Sequence, residues 1–202
     1  MIQTVIFDLG GVIVPLDFAR LYGRLAEHCA VRAEEIPGRI AETGLVPLLE
    51  SGAMAPEEFT ERIVSLLDLK VPEGRFQELW SSLFPGHTLV PESLMEGVKK
   101  HHRLVLLSNT NAIHFGMVRE NYPLLRHFDH YVLSHEVGAM KPSPKIYEAA
   151  IAAAQCKAEE CFFTDDIAAY VEGARKAGMR SEQFRSYEQI TAIFDEIGVR
   201  WK

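Results

Sequence analysis

Four short apolar runs, "TVIFDLG", "RLVLLSN", "HYVLSHE" and "CFFTDD", each stop at polar residues without apolar–polar alternation along their length. Strands that read this way are buried on both faces, the condition of a parallel sheet flanked by helices. A fifth run, "GMRSEQF", is less apolar. Helical spacing fills the rest of this part of the chain, in "PESLMEGVKKHH", "NAIHFGMVREN", "SPKIYEAAIAAAQ", "IAAYVEGARKAG" and "SYEQITAIFDEIG". Strands alternating with helices through right-handed crossovers predict an α/β fold with a doubly wound parallel sheet. A chain of 202 residues is long enough to bury the core of such a fold.

The alternation breaks between about Leu16 and Pro85. "LDFARLYGRLAEHCAV", "AEEIPGRIAETG", "PEEFTERIVSLLDL" and "PEGRFQELWSSLF" all carry helical spacing, with Pro near several starts and Gly near several ends. The chain thus divides into an α/β core, residues 1–15 and 86–202, and a small helical cap, residues 16–85. The cap enters directly after the first strand, so it is expected to rise over the carboxyl edge of the sheet as a lid, where such sheets bind ligands.

Composition narrows the class of function. With 28 acidic against 21 basic residues, a formal charge of −7 and no cluster of Lys or Arg, the chain lacks the basic face that nucleic-acid binding needs. The opening "MIQTVIFD" has no basic flank and meets an acid at once, so neither a signal peptide nor a membrane span is expected, and the expected location is the cytoplasm. Cys29, Cys156 and Cys161 are odd in number and show no C-x-x-C spacing, which points to buried free thiols rather than disulfides or a cysteine-built metal site.

The residues that stop the strands carry the chemistry. Asp8 closes the first strand, Ser108 and Asn109 close the second, Lys141 follows the third, and Asp165 with Asp166 closes the fourth. Parallel strands end on one edge, so these six converge on one crevice. A carboxylate there can attack phosphorus and split a hydrolysis into two displacements. Two further carboxylates complete an oxygen cage of the kind Mg²⁺ accepts. A lysine and a hydroxyl then offset charge on the transferring phosphoryl group. Each residue alone also has a plainer reading: Asp8 as a turn cap, Ser108 to Thr110 and Asp166 as helix caps, and Ser143 with Pro144 as the start of a helix. Capping and catalysis are compatible, and four clusters in order at four strand ends weigh more than any one of them.

In order and spacing, "FDLGGVIV", "LLSNTN", "GAMKPSPKIYEAA" and "FFTDDIAAYVEGARKAGM" resemble the four motifs of the haloacid dehalogenase superfamily, over nearly the whole chain. "DLGGVIV" with "SNTNAIHF" is similar, more narrowly, to the branch holding bacterial glucose-1-phosphate phosphatases and the amino-terminal phosphatase domain of soluble epoxide hydrolases. The resemblance implies a Rossmann-like core with a helical cap. It also implies an Mg²⁺-dependent phosphatase that hydrolyses a small phosphorylated metabolite through an aspartyl phosphate. It makes Asp8 the nucleophile and a metal ligand, Ser108 and Asn109 contacts to the phosphoryl group, and Lys141 the partner of both nucleophile and phosphoryl group. Asp166 becomes the direct metal ligand and Asp165 its neighbour, acting through a water.

Two positions depart from the family pattern. Tyr170 stands where an asparagine is common. Gly10 stands where a second aspartate ordinarily protonates the leaving oxygen; its backbone carbonyl is still available to the metal. General acid–base catalysis is worth about 10²–10⁴ in rate, so slow turnover of alkyl phosphates is expected, with preference for a good leaving group such as an anomeric sugar phosphate or an acyl phosphate. Asp17 and His114 are the nearest replacements in sequence, but each has a plainer role, as a helix cap and in packing. His114 is also a candidate substrate contact, and Trp80, Phe84 and Glu50 of "LLESG" are candidates to line the cap. Two functions compete with the phosphatase: a metal-independent 2-haloacid dehalogenase and a weakly catalytic phosphometabolite-binding protein. The adjacent acids Asp165 and Asp166 favour the metal-dependent phosphatase over the dehalogenase, because without a cation they would only crowd negative charge.

Overall fold

The structure, a computed structural model, describes residues 1–72 and 74–202. Five parallel strands, β1 (Thr4–Phe7), β2 (Arg103–Ser108), β3 (His130–Leu133), β4 (Cys161–Asp165) and β5 (Arg180–Gln183), form one sheet in the order β3-β2-β1-β4-β5. β1 is central: Thr4 pairs with Arg103 on one side and Cys161 on the other. Its alternate residues feed two apolar layers, as the unbroken apolar run requires. Val5 and Phe7 join Leu104, Leu106 and Phe162 on one face, and Ile6 joins Val105, Leu107 and Phe163 on the other. Helix α11 (Tyr187–Ile197) packs Ile190 and Phe194 into the first layer, while α9 (Pro144–Ala154) and α10 (Ala168–Lys176) pack Ile146, Tyr147 and Ala174 into the second. Each fully buried Ile or Phe among these contributes about 1.5–3 kcal/mol. The doubly wound α/β reading holds, including the less apolar fifth strand.

Among the described residues, five α-helices lie between β1 and β2 before the chain returns to the sheet through α6 (Glu92–Lys99). α1 (Phe18–Ala26), α2 (Ile36–Thr43), α4 (Pro56–Leu67) and α5 (Arg75–Trp80) fall within the four stretches read as helical; Glu73, in the last of these, lies outside the described residues. α3 (Leu45–Glu50) was not expected, since six residues with Pro47 near the start are too few for a helical period to register. The insertion shares the first apolar layer, because Leu21, Leu25, Phe59 and Ile63 belong to the same buried cluster as Val5 and Phe7. No helix among the described residues is long and apolar enough to cross a membrane.

Local details correct the sequence reading in four places. "HYVLSHE" is strand only to Leu133, and Ser134–Val137 close into a single helical turn, α8. α7 (Ala112–Asn121) is capped by Asn111, whose side chain accepts the His114 N–H, not by Ser108, Asn109 or Thr110. The backbone ahead of α10 is held by Asp165, which accepts the Ile167 N–H at 2.8 Å, rather than by Asp166. The three cysteines are free, but only Cys161 is fully buried.

Asp17 caps α1 by accepting the Arg20 N–H at 2.9 Å. Replacing it with Ala is expected to cost about 1 kcal/mol of stability, read as a lower urea midpoint, with kcat unchanged. A loss of catalysis without a loss of stability would instead make Asp17 a working acid.

Candidate active site

β1 ends at Phe7, and the next residue, Asp8, is fixed by its N–H to the Thr164 carbonyl at 3.0 Å. The chain then turns sharply: Gly11 has φ +77° and donates its N–H to the Val14 carbonyl at 2.8 Å. A Cβ on Gly11 would lie 2.4 Å from Asp166 Oδ2, so both the backbone conformation and the approach of Asp166 require glycine there. Gly10 is closed off differently, since a Cβ would meet Leu16 Cδ1 at 3.0 Å.

Lys141 is the hub. Its ammonium, 1% exposed, donates to Asp8 Oδ1 at 2.7 Å, to Asp165 Oδ2 at 2.5 Å and to the Leu107 carbonyl at 3.3 Å. The Asn109 amide holds the Lys141 backbone at both ends, accepting its N–H at 2.8 Å and donating to its carbonyl at 3.1 Å. The Tyr170 ring lies under the ammonium, 5.1 Å from ring centre to Nζ, and its hydroxyl accepts weakly from Asn109 at 3.5 Å. Tyr170 therefore supports the lysine as a cation–π partner.

One buried cation serves two buried carboxylates, and Asp166, which is not fully buried, adds a third negative group beside them. Carboxylate oxygens of Asp8, Asp165 and Asp166 lie within 4.8 Å of one another. Burial pushes the Asp8 carboxyl up to about 7, with Lys141 opposing and Asp165 adding to the rise. Burial, with the charge of Asp165 added, also raises Asp166. Burial disfavours the Lys141 ammonium too, but the two carboxylates outweigh it and hold the amine above its usual range. The donor set is hard oxygen with an excess of negative charge, and it fits a divalent cation such as Mg²⁺.

Above this edge the insertion and core enclose a cavity of about 160 Å³. Leu9, Gly10, Ser108, Asn109 and Thr110 line it from the core, while Leu16, Phe18, Tyr22, Trp80 and Phe84 give it a largely apolar wall from the insertion. Ser108 faces it with a hydroxyl committed only to a 3.4 Å contact with the Asn109 carbonyl. His114 lines it too, but both ring nitrogens are engaged, one 3.2 Å from the Asn111 amide and the other 3.2 Å from the Trp80 carbonyl. Its ring stacks on Trp80, with an interplanar angle of 12°.

The family model of haloacid dehalogenase-like hydrolases matches residues 2–178. The chain belongs to that family. Among relatives, this hydrolase is 25% identical to a D-ribitol-5-phosphate phosphatase of Bacteroides thetaiotaomicron, over 91% of the chain and 92% of the relative. It is 28% identical to a phosphatase of Mycobacterium tuberculosis, over 89% and 86%. A haloacid dehalogenase family enzyme of B. thetaiotaomicron, solved with magnesium and inorganic phosphate, superposes with a TM-score of 0.82 at 25% identity, covering 96% of the chain and all of its own.

Asp8, Asp165, Asp166, Lys141 and Asn109 of this hydrolase thus come together below a cavity lined by Ser108, Gly10 and His114. Asp17 does not line that cavity. Ser134 was missed by sequence reading. Its buried hydroxyl accepts the Thr110 N–H at 2.9 Å and faces the Glu50 carbonyl at 2.5 Å, fastening the insertion to the strand ends. Nothing in "VLSHE" marks it, since the contact spans 84 residues.

Burial holds the His114 pKa down to about 4, from 6.5, against the opposing Trp80 carbonyl. The unfolded chain therefore binds the proton first as pH falls. The neutral ring's contribution is complete above pH 6.5 and is lost progressively down to about 4, a loss of about 3 kcal/mol. Urea unfolding of the wild type and of His114→Gln should show their stability difference shifting against the wild type by that amount between neutral pH and about 4. A pH-independent difference would contradict the buried neutral imidazole.

Proposed function

We propose that this hydrolase is an Mg²⁺-dependent phosphatase that cleaves a small phosphorylated metabolite through a phosphorylated Asp8. The observation that carries the reading is the Lys141 ammonium seated between Asp8 and Asp165, with Asp166 close enough to complete an oxygen site. Phosphatases among its relatives, and a magnesium–phosphate complex of a similar enzyme, support it.

Asp8 attacks phosphorus as the nucleophile, and the leaving oxygen departs toward the cavity. Lys141 orients Asp8 and offsets charge on the phosphoryl group, with Ser108 and Asn109 as further contacts to its oxygens. Asp8, Asp165, Asp166 and the Gly10 carbonyl would hold Mg²⁺, which when bound lets an anionic nucleophile meet an anionic phosphoryl group. The cavity, about 160 Å³ and close in size to one of about 150 Å³ that accepts benzene, suits a substrate whose organic part is about as large as one six-membered ring. A dehalogenase has no use for the third carboxylate, which argues against that competing activity.

Phosphate release from a panel of sugar, polyol and aryl phosphates, with and without Mg²⁺, tests the reading. Release is expected only with the metal and should fall at least 10³-fold in Asp8→Asn, the scale on which losing a nucleophile acts. Halide release from 2-haloacids without metal, or phosphate release undiminished by Asp8→Asn, would sink it.

A further inference from the structure

An alkoxide leaving phosphorus must be protonated, and the residues around Asp8 leave few donors. Asp8 itself is the nucleophile. Asp165 is committed to the Lys141 ammonium and the Ile167 N–H. Position 10 has no side chain, and Leu16 occupies the space where one would begin. His114 has neither a free nitrogen nor a proton to spare near neutral pH. Among the described residues, Glu50 is the one acidic residue lining the cavity, together with Gly10, Ser108 and Asn109.

Glu50 is also held in place. It ends α3, and its carbonyl faces the Ser134 hydroxyl at 2.5 Å, the hydroxyl that also receives the Thr110 N–H. Two residues on, Gly52 passes so close to α8 that a Cβ there would lie 2.1 Å from the His135 carbonyl. The backbone that carries Glu50 is therefore clamped to the strand-end segment that supplies Ser108 and Asn109.

We infer that Glu50 is the catalytic acid and base of this site, giving a proton to the leaving oxygen in the first displacement and taking one from water in the second. The assignment rests on the phosphatase reading. In the first step the Asp8 Oδ–P bond forms and the ester P–O bond breaks. Its electron pair stays on the leaving oxygen, which takes the Glu50 proton and departs as an alcohol. In the second step water oxygen bonds to phosphorus, Glu50 carboxylate accepts a water proton, and the Asp8 Oδ–P bond breaks. Inorganic phosphate leaves, Asp8 is a carboxylate again and Glu50 is again protonated.

The setting suits this role. Burial lifts the Glu50 carboxyl to about 7, with the Lys141 ammonium pulling it back, so both protonation states are within reach at neutral pH. The other titratable groups around it include the Tyr22 and Tyr170 phenols, both raised by burial, the neutral His114, and His135, whose Nδ1 bonds the Thr110 carbonyl.

Two esters of similar size separate proton donation from binding. 4-Nitrophenolate departs without a proton, whereas the benzyl alkoxide needs one. In Glu50→Gln, kcat/KM for benzyl phosphate should fall by about 10²–10⁴, and the loss on 4-nitrophenyl phosphate should be at least tenfold smaller; the activity kept on the nitrophenyl ester reports a folded variant. Glu50→Asp should recover part of the benzyl activity. Equal losses on both esters, or no loss on benzyl phosphate, would overturn the assignment alone. Wild-type inertness toward both would overturn the phosphatase reading and the assignment with it.

Discussion

The Lys141 ammonium between Asp8 and Asp165 is the contact on which the rest of the structure depends. Three separate segments, the end of β1, the end of β4 and the loop after β3, have to meet there, and only a parallel sheet with β1 at its centre delivers all three. Removing the cation would strand two buried carboxylates, a change that typically costs about 3–5 kcal/mol. The protein holds the lysine accordingly, with the Asn109 amide on its backbone and the Tyr170 ring against its ammonium. What the lysine does not neutralise, the third carboxylate makes worse, and that surplus of negative charge on hard oxygen donors suits a divalent cation.

Around this hub the two consecutive glycines have different reasons. Gly11 is required by a left-handed backbone and by the carboxylate of Asp166 lying where a Cβ would go. Gly10 has no such backbone demand; it is matched to a leucine at the mouth of the insertion. Placing the proton donor at Glu50 reconciles this with ordinary phosphate-ester chemistry. In that proposal the nucleophile and metal ligands sit at the sheet edge, while the acid arrives from the insertion, on the element that also shapes the cavity. Leaving-group chemistry and substrate size are then set by the same wall, and a slow enzyme limited to activated esters is no longer the necessary consequence of Gly10.

Much of this was legible in the sequence because its signals are local. Apolar runs ending at Asp8, Ser108 and Asp165 report strand and edge together, and Pro and Gly punctuate the helices of the insertion. Short elements escaped for the same reason, since neither α3 nor α8 is long enough to show a period. Capping roles were exchanged between neighbours: Asp165, not Asp166, holds the Ile167 N–H, and Asn111, not the three residues before it, caps α7. The contacts that matter most to the insertion, Ser134 with Glu50 and His114 with Trp80, join residues 84 and 34 apart through backbone carbonyls, which no side-chain pattern encodes.

The central claim is that Asp8 takes the phosphoryl group from the substrate. Mixing the enzyme with Mg²⁺ and 4-nitrophenyl phosphate, quenching in acid within a turnover and mapping the peptides by mass spectrometry tests it most directly. A phosphoryl adduct on Asp8, released by hydroxylamine, is the expected result. Turnover with no adduct, or with the adduct on another residue, would contradict the account.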